Sequence, residues 1–279
     1  MTNRNLITLL LLFAFGLGLT AQDLPVMTYN IRFDNPGDGL DRWDLRKEAV
    51  ADFVKAERPA ILGTQEGQPH QLDYLDEHLP NYVYVGVGRD HGDKTGEHVG
   101  LYYDTSALDL LHSGTFWLSE KGDTGSLGWD AVFSRICTYG LFSQKSSGKQ
   151  FKVYNAHFDH VGVNARNGSA TQIADSALVN IKSGIPVIVL GDFNSEPESE
   201  AFRILNDAIS CAAEQVDGAP TGPSGTFTAF NTSIDPVRRI DFIFVSGFDV
   251  KSYAHLDPRT HEGRAASDHL PVAAALTFE

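Results

Sequence analysis

The chain has 279 residues, of which 36 are acidic and 22 basic, and its formal net charge is −14 at pH 7. This balance argues against a broad, non-specific grip on nucleic acid, which needs a surface rich in Lys and Arg. The chain is long enough to bury one large core and contains no repeat or low-complexity linker, so it predicts a single domain after its N-terminal segment.

Residues 1–21 have the pattern of a secretory signal peptide. Arg4 precedes an apolar run at Leu6–Leu19, and Ala21 closes the segment. The alternative is a membrane anchor, but the run is short for a span, which needs about 20 apolar residues. We therefore predict cleavage after Ala21, a mature domain at 22–279 and a periplasmic or secreted location. A lipid anchor is not expected, because no cysteine follows the run closely.

Apolar runs along the rest of the chain predict about eleven strands and three helices. The strand-like runs are Val26–Phe33, Ile61–Thr64, Tyr82–Val87, Gly100–Tyr103, Leu108–Phe116, Ile136–Phe142, Phe151–Ala156, Pro186–Leu190, Ile240–Val245, Val250–Ala254 and Val272–Phe278. Helical periodicity appears at Asp44–Glu57, Asn164–Ser183 and Ser195–Asn206. Because no helical period interrupts Tyr82–Ala156, a doubly wound parallel sheet is disfavoured. The chain instead predicts an α/β fold in which two packed sheets carry helices on their outer faces.

Two local patterns predict how these elements connect. The polar segment Lys145–Lys149 separates two strand-like runs and indicates a hairpin over 136–156. Ser195 and Glu198 have the spacing of a capping box. The third helix is therefore predicted to begin directly after Asp192–Asn194, where its N-terminus would favour a phosphate group.

Six short islands place polar, chemically active side chains at the ends of strand-like runs. They are Asn30 in TYNIR, Glu66 in LGTQE, His157 in NAHFDH, Asp192 and Asn194 in LGDFN, Asp241 in RIDFIF, and Asp268 with His269 in SDHLPV. Each island alone has an ordinary structural explanation, such as a solvated loop carboxylate, a turn residue or a structural histidine. Together they have the chemistry of metal-assisted phosphoester hydrolysis.

The acidic and amide residues suggest one part of that chemistry. Glu66 offers a hard oxygen ligand for Mg²⁺, and Asp268 is also a candidate for reaching the metal. Asp192 is a candidate general base on a water molecule, and Asn194 a donor to a phosphate oxygen. Asn30 lies inside a strand, where Asn is disfavoured, which indicates a specific role.

The histidines suggest the other part. His157 closes an apolar strand and could donate to a phosphate oxygen or to the leaving group. Asp241 begins a strand where a buried charge needs a partner, and His269 offers one. Such a pair fixes the imidazole tautomer and keeps the ring cationic, which suits a phosphate.

In this order, the islands resemble the endonuclease/exonuclease/phosphatase superfamily, whose members include DNase I, neutral sphingomyelinases, inositol polyphosphate phosphatases and abasic-site endonucleases. GDFN and SDH are the most specific segments, TQE follows, and the match runs from about Leu24 to the C-terminus. The resemblance implies a four-layer α/β sandwich of two mostly antiparallel sheets flanked by helices. It also implies Mg²⁺, or alternatively Mn²⁺, on Glu66 with Asp268 and Asn30 nearby, and His157 and His269 on the phosphate.

The chain looks most like secreted bacterial members that carry WDLRK, GVGRD, SGTFWLSE and HFDHVG segments. It departs from abasic endonucleases, which have an acidic residue where this chain has Arg32, and this departure argues against a second metal. Arg32, Glu97, Arg135 and Arg166 are candidate substrate-binding residues, because arginines around such a site can hold a second anionic group.

The function predicted from these residues is a secreted Mg²⁺-dependent phosphodiesterase or phosphatase acting on a phosphoester of undetermined class. The alternatives are a DNase- or RNase-type endonuclease, a sphingomyelinase-like hydrolase and, with less support, a non-catalytic binding module. A two-metal calcineurin-like enzyme is disfavoured, because its Asp-x-His and Gly-Asn-His segments are absent. We expect a monomer with no stable nucleic-acid partner. Cys137 and Cys211 are expected to be small buried residues rather than a disulfide.

Overall fold

The computed structural model describes residues 23–216 and 218–279. The predicted signal peptide at 1–21 lies outside the described residues. Within them, no helix has the length and apolar character needed to cross a membrane.

The described part of the chain forms eleven strands and five α-helices, with a 3-10 helix at Pro36–Asp41. The strands are β1 (Leu24–Asn30), β2 (Ile61–Gly67), β3 (Tyr82–Val85), β4 (His98–Asp104), β5 (Leu108–Trp117), β6 (Ile136–Gln144), β7 (Gln150–His157), β8 (Val187–Asp192), β9 (Asp241–Ser246), β10 (Phe248–His255) and β11 (Val272–Phe278). The helices are α1 (Trp43–Glu57), α2 (Pro69–His78), α3 (Val163–Lys182), α4 (Glu200–Ala208) and α5 (Ala212–Gln215).

The strands form two mixed sheets. The first has the order β10-β11-β1-β2-β4-β3 and the second the order β5-β6-β7-β8-β9. Neighbouring strands are antiparallel except for the pairs β1–β2 and β7–β8, which are parallel. The predicted fold class, an α/β sandwich of two mostly antiparallel sheets flanked by helices, is confirmed, and so is the predicted hairpin, which β6 and β7 form.

Burial on both faces explains why the central strands are continuously apolar. Every residue of β8 is buried. Its inner face joins a core shared by the two sheets, and helices cover the outer faces. At the end of the sandwich that carries the candidate site, this core becomes polar: Gln65 Nε2 donates to Asn155 Oδ1 at 2.7 Å, and Asn155 Nδ2 donates to the carbonyl oxygen of Gly100 at 2.8 Å. Buried hydrogen bonds therefore connect the sheets directly beneath the site.

Two predictions about helices are wrong. α4 begins at Glu200, and its N-cap is Ser199, whose side chain accepts from the backbone N–H of Phe202. Pro197 disfavours helical backbone at Glu196, so the helix does not begin directly after Asn194. The predicted number of three helices is also wrong, because the structure adds the short α5 and α2, which begins with a capping box of Gln68 and Gln71. The expectation for Cys137 and Cys211 is confirmed, since both are free and buried.

Candidate active site

The candidate site forms where strand ends from both sheets meet. Parallel strands carry their carboxyl ends at the same edge of a sheet, and both parallel pairs end here. In the second sheet, His157 neighbours Asp192 in the strand register, and Asp192 neighbours Asp241. In the first sheet, β1 ends at Asn30 and β2 carries Glu66 near its end. The packing of the two sheets brings these side chains together.

The Asp192 carboxylate lies at the centre of the site and is 1% exposed. Its Oδ2 accepts from Asn30 Nδ2 at 3.0 Å, and its Oδ1 accepts from the backbone N–H of Asn194 at 2.9 Å. Two imidazoles face the same Oδ2, with His157 Nε2 at 3.5 Å and His269 Nε2 at 3.7 Å. Residues from four separate islands therefore converge on one carboxylate.

The surroundings of Asp192 raise its proton affinity. Burial and the neighbouring Asp241 carboxylate raise the pKa of Asp192 to about 7, while His269, Asn194 and Asn30 act in the opposite direction. A carboxylate with a pKa near neutrality is matched to removing a proton from water at neutral pH. Asp192 is thus a candidate general base, as well as a candidate metal ligand.

Unusual backbone geometry directs several of these side chains. Glu66 and Asn194 have positive φ angles of 65° and 46°, and Arg32 has 57°. Such conformations are uncommon for residues other than glycine and recur at functional sites. Gly191 also has a positive φ, and a Cβ there would collide with the backbone of Ala156. The glycine of GDFN is therefore needed for β8 to approach β7 at the site.

On one side of Asp192, a chain of buried polar groups holds His269. His269 Nδ1 lies 2.9 Å from Asp241 Oδ2, and the hydroxyl of Thr226 donates to that same oxygen at 2.6 Å. Burial alone would lower the pKa of His269, but Asp241 and Asp192 raise it well above its ordinary value. The ring is therefore held as a cation, oriented with Nε2 toward Asp192.

On the other side, arginine surrounds His157. Arg135 Nη1 lies 3.1 Å from both ring nitrogens of His157, and Arg135 Nη2 lies 3.2 Å from His160 Nδ1. Burial lowers the pKa of His157 well below its ordinary value, and Arg135 and Arg89 lower it further. His157 is therefore neutral.

The site also offers ligands for a metal ion. The candidate ligand atoms of Glu66, His157 and Asp192 lie within 4.8 Å of one another. Glu66 Oε1 accepts from Asn30 Nδ2 at 3.0 Å. Burial raises the pKa values of Asp192 and Asp268, and neighbouring carboxylates raise them further. A divalent cation would stabilise these carboxylates in their ionised form, so the donor set fits a hard divalent ion.

Arg32 lies between two candidate metal-binding carboxylates. Its Nε lies 3.7 Å from Asp268 Oδ2, and its Nη1 lies 3.9 Å from Glu66 Oε2. The guanidinium also pairs with both oxygens of Asp38, at 3.0 and 3.1 Å. Arg32 therefore offsets part of the negative charge that these carboxylates bring to the site.

The other candidate substrate-binding residues differ in position. Arg135 and Glu97 line a narrow crevice beside His157, and Glu97 forms a bidentate pair with Arg89 at 2.7 Å. Arg166, by contrast, lies in the first turn of α3 and donates to the backbone carbonyl of Asp159 at 3.1 Å. The structure therefore places Arg135 and Glu97 next to the site and gives Arg166 a structural contact.

Three further residues support the site. Thr226 donates to Asp241 and was not predicted, because it lies in an irregular segment where no periodicity marks it. Arg89, one of the arginines expected near a second anionic group, pairs with Glu97. Asp159, in the polar cluster that follows β7, is fully buried and lies 3.5 Å from Arg135 Nε.

Comparisons with known proteins agree with this geometry. The family model described as Endonuclease/Exonuclease/phosphatase family matches residues 27–269. A solved structure of a mannosyl-6-phosphatase from Bacteroides thetaiotaomicron VPI-5482 is 38% identical, covers 91% of this chain and 100% of its own chain, and gives a TM-score of 0.87. A second structure from Bacteroides thetaiotaomicron, of an endonuclease/exonuclease/phosphatase family protein, is 38% identical, covers 92% of this chain and 98% of that one, and gives a TM-score of 0.86.

A viral relative is also similar. An uncharacterized protein of Acanthamoeba polyphaga mimivirus is 28% identical over 254 residues, which are 85% of this chain and 92% of the viral protein. The likeness to these relatives extends over most of each chain, so it includes both sheets and the strand ends that form the site.

Proposed function

Since the chain belongs to the endonuclease/exonuclease/phosphatase family, whose members are metal-dependent phosphoester hydrolases, we propose that it is a Mg²⁺-dependent phosphomonoesterase that removes phosphate from a phosphorylated sugar. The observation that carries the chemistry is the convergence of Asn30, His157, His269 and Asn194 on the buried carboxylate of Asp192. In this proposal Asp192 removes a proton from the water molecule that attacks phosphorus in line with the leaving oxygen.

The remaining residues have distinct roles in this mechanism. The cationic ring of His269 donates to a phosphate oxygen, and Asp241 keeps it oriented and charged. The side chain of Asn194, which now donates to the carbonyl oxygen of Phe158 at 3.1 Å, is placed to donate to phosphate instead. Glu66, with Asp268 nearby, would hold Mg²⁺, which when bound neutralises charge on the phosphate.

The proposed substrate class rests on similarity and on charge. The mannosyl-6-phosphatase shares 38% of its residues with this chain across nearly the whole fold, which supports a sugar monoester. The net charge of −14 gives no support to a nuclease. The pattern at residues 1–21 supports a mature protein that begins at Gln22 and acts in the periplasm or outside the cell.

Hydrolysis assays on the mature protein test this proposal. The substrates are mannose 6-phosphate, glycerol phosphate, single-stranded DNA, sphingomyelin and bis(p-nitrophenyl) phosphate, each with Mg²⁺ and with EDTA. We expect Mg²⁺-dependent release of phosphate from the sugar ester and little turnover of the diesters. Preferential cleavage of DNA or sphingomyelin would replace the proposed substrate class.

Asp192→Asn tests the mechanism with the same sugar substrate. It keeps the shape of the side chain and removes the base, so kcat is expected to fall by at least about 10³-fold. The matched control is Asp207→Asn, which alters an exposed carboxylate on α4. Wild-type rates in the Asp192 variant would exclude Asp192 as the base.

A further inference from the structure

An exposed aromatic ring lies beside the candidate site on its arginine side. Phe133 is 47% exposed, although it is a large apolar residue. The ring of His160 stacks on it with a centroid distance of 5.9 Å and an interplanar angle of 19°. The guanidinium carbons of Arg89 and Arg135 lie 5.0 and 5.9 Å from its centroid.

Phe133 is joined to the site through Arg135. Arg135 is 4% exposed, and its Nη1 lies 3.1 Å from the ring nitrogens of His157. Phe133 is therefore separated by one guanidinium from the imidazole of His157, which faces Asp192. A group bonded to a phosphate at Asp192 and directed toward this side would meet the exposed ring.

The ring is exposed but its backbone is anchored. The buried carboxylate of Asp159 accepts from the backbone N–H groups of Val132 and Phe133, at 3.2 and 3.4 Å. Its other oxygen accepts from Val161 and Gly162, at 3.0 and 2.7 Å. The buried carboxylate of Asp159 thus fixes the two segments at 132–133 and 161–162. A ring that is held in place before binding loses little conformational entropy when a ligand covers it.

The neighbouring charges indicate what kind of ligand fits. Arg89 is paired with Glu97 at 2.7 Å, and Arg135 lies 3.5 Å from Asp159. Because Arg89 and Arg135 both have carboxylate partners, neither guanidinium is free to bind a second phosphate or a nucleic-acid backbone. The surface around Phe133 offers instead an aromatic face next to guanidinium donors and carboxylate acceptors. This combination suits a neutral ring that has one apolar face and several hydroxyl groups.

We propose that Phe133 is the platform on which the leaving group of the substrate stacks, and that this group is a sugar ring whose hydroxyls face Glu97 and Arg89. The inference rests on the proposed phosphatase function and adds to it a specificity-determining residue outside the hydrolytic machinery. Val132 and Val161, in the two loops that Asp159 holds, are also exposed apolar residues.

The test compares two monoesters that differ in the leaving group. Mannose 6-phosphate has a ring, and glycerol phosphate has hydroxyls without a ring. For Phe133→Ala, we expect kcat/KM toward mannose 6-phosphate to fall about 10-fold, mainly through a higher KM, because aromatic stacking contributes on this scale. Activity toward glycerol phosphate should remain within about 2-fold of wild type. Phe133→Trp should retain activity on the sugar.

The matched control is Leu127→Ala, which removes a side chain of comparable exposure, 58%, from the same loop. It is expected to leave both activities unchanged. Equal losses on the two substrates, or no loss on the sugar, would overturn the assignment of Phe133 while leaving the sugar-phosphatase function in place. A wild-type protein inactive on mannose 6-phosphate but active on glycerol phosphate would overturn the proposed function itself, and the platform with it.

Discussion

His269 and His157 approach the same oxygen of Asp192, at 3.7 and 3.5 Å, from opposite sides of the site. On the His269 side the nearest partner is the carboxylate of Asp241, 2.9 Å away. On the His157 side it is the guanidinium of Arg135, 3.1 Å away. Two chemically identical rings at similar distances from one carboxylate are therefore held in opposite electrostatic surroundings.

This difference gives the two histidines different protonation states. The pKa of His269 lies well above its ordinary value, and that of His157 lies well below it. At neutral pH one ring is cationic and the other neutral, so the positive charge belongs to an imidazole on the His269 side and to the guanidinium of Arg135 on the His157 side. In the proposed mechanism His269 stabilises charge on the phosphate, and the His157 side, with Arg135 and Arg89, recognises the rest of the substrate.

We call the His269 side, with Asp241, the carboxylate side, and the His157 side, with Arg135, the arginine side. The largest effect is expected on the carboxylate side, from Asp241→Asn. An amide at this position no longer holds the charge and tautomer of His269, so kcat should fall by about 10³- to 10⁴-fold, as for other Asp–His pairs. Steady-state kinetics on the sugar ester measure this. Asp249→Asn, at an exposed carboxylate of β10, is the control. A loss smaller than about 10-fold would mean that His269 does not need a charged partner.

A smaller effect is expected on the arginine side, from Arg135→Met. The Asp159 carboxylate keeps four backbone N–H donors, so the fold should survive the loss of the guanidinium. We expect kcat/KM to fall by about 10²-fold. Because Arg135 lowers the pKa of His157, that pKa should rise in the variant, which an NMR titration of the His157 ring measures. An unchanged His157 pKa, with full-length folded protein, would show that Arg135 does not control His157.

The two sides also differ in how far the sequence predicted them. Asp241 and His269 belong to short islands next to strands, and a buried strand carboxylate near an imidazole is a recognisable pattern. Arg135 was a candidate, but its neighbours could not be found. Its loop, 118–135, has no periodicity, and the side chains that contact Arg135, such as Asp159 and His160, come from another segment of the chain. Long-range contacts of this kind leave no local signal.

The same reasoning applies to the fold. Strands buried on both faces, such as β8, were predicted from their apolar runs. α2 was missed, because only Leu72 and Leu75 are buried apolar residues among its ten positions, so its apolar stripe is weak. The start of α4 was misplaced, because Ser195 and Glu198 have the spacing of a capping box, whereas the N-cap of the helix is Ser199. Local motifs predicted the strand ends well and the irregular connections poorly.

Thr226→Val tests the carboxylate side at the residue that donates a hydrogen bond to Asp241. Valine keeps the shape of threonine but removes the hydroxyl that donates to Asp241 at 2.6 Å and accepts from the backbone N–H of Ile240 at 3.0 Å. We expect kcat to fall about 10-fold and the free energy of unfolding to fall by about 1–3 kcal/mol, the cost of unsatisfied buried groups. Urea unfolding and kinetics measure both. Thr226→Ser restores the hydroxyl and should recover most of each loss.

The smallest effect concerns Glu97, a carboxylate on the arginine side. Burial raises its pKa to about 7, although Arg89 acts in the opposite direction. The folded protein therefore keeps a proton on Glu97 between about pH 4.5 and 7, where the unfolded chain has lost it. Wild-type stability should fall as pH rises through this window and level off above it.

Glu97→Gln imitates the protonated carboxyl group and removes this dependence. Compared with wild type, the variant should be similarly stable at about pH 5 and more stable at about pH 8, by on the order of 1–3 kcal/mol. Urea unfolding at both pH values gives the difference in the free energy of unfolding between the two proteins. The contributions of Asp192 and the histidines cancel in this difference, because both proteins contain them. An equal difference at the two pH values would mean that Arg89 keeps Glu97 ionised. The net charge of the arginine side would then be closer to zero than its two guanidinium groups suggest.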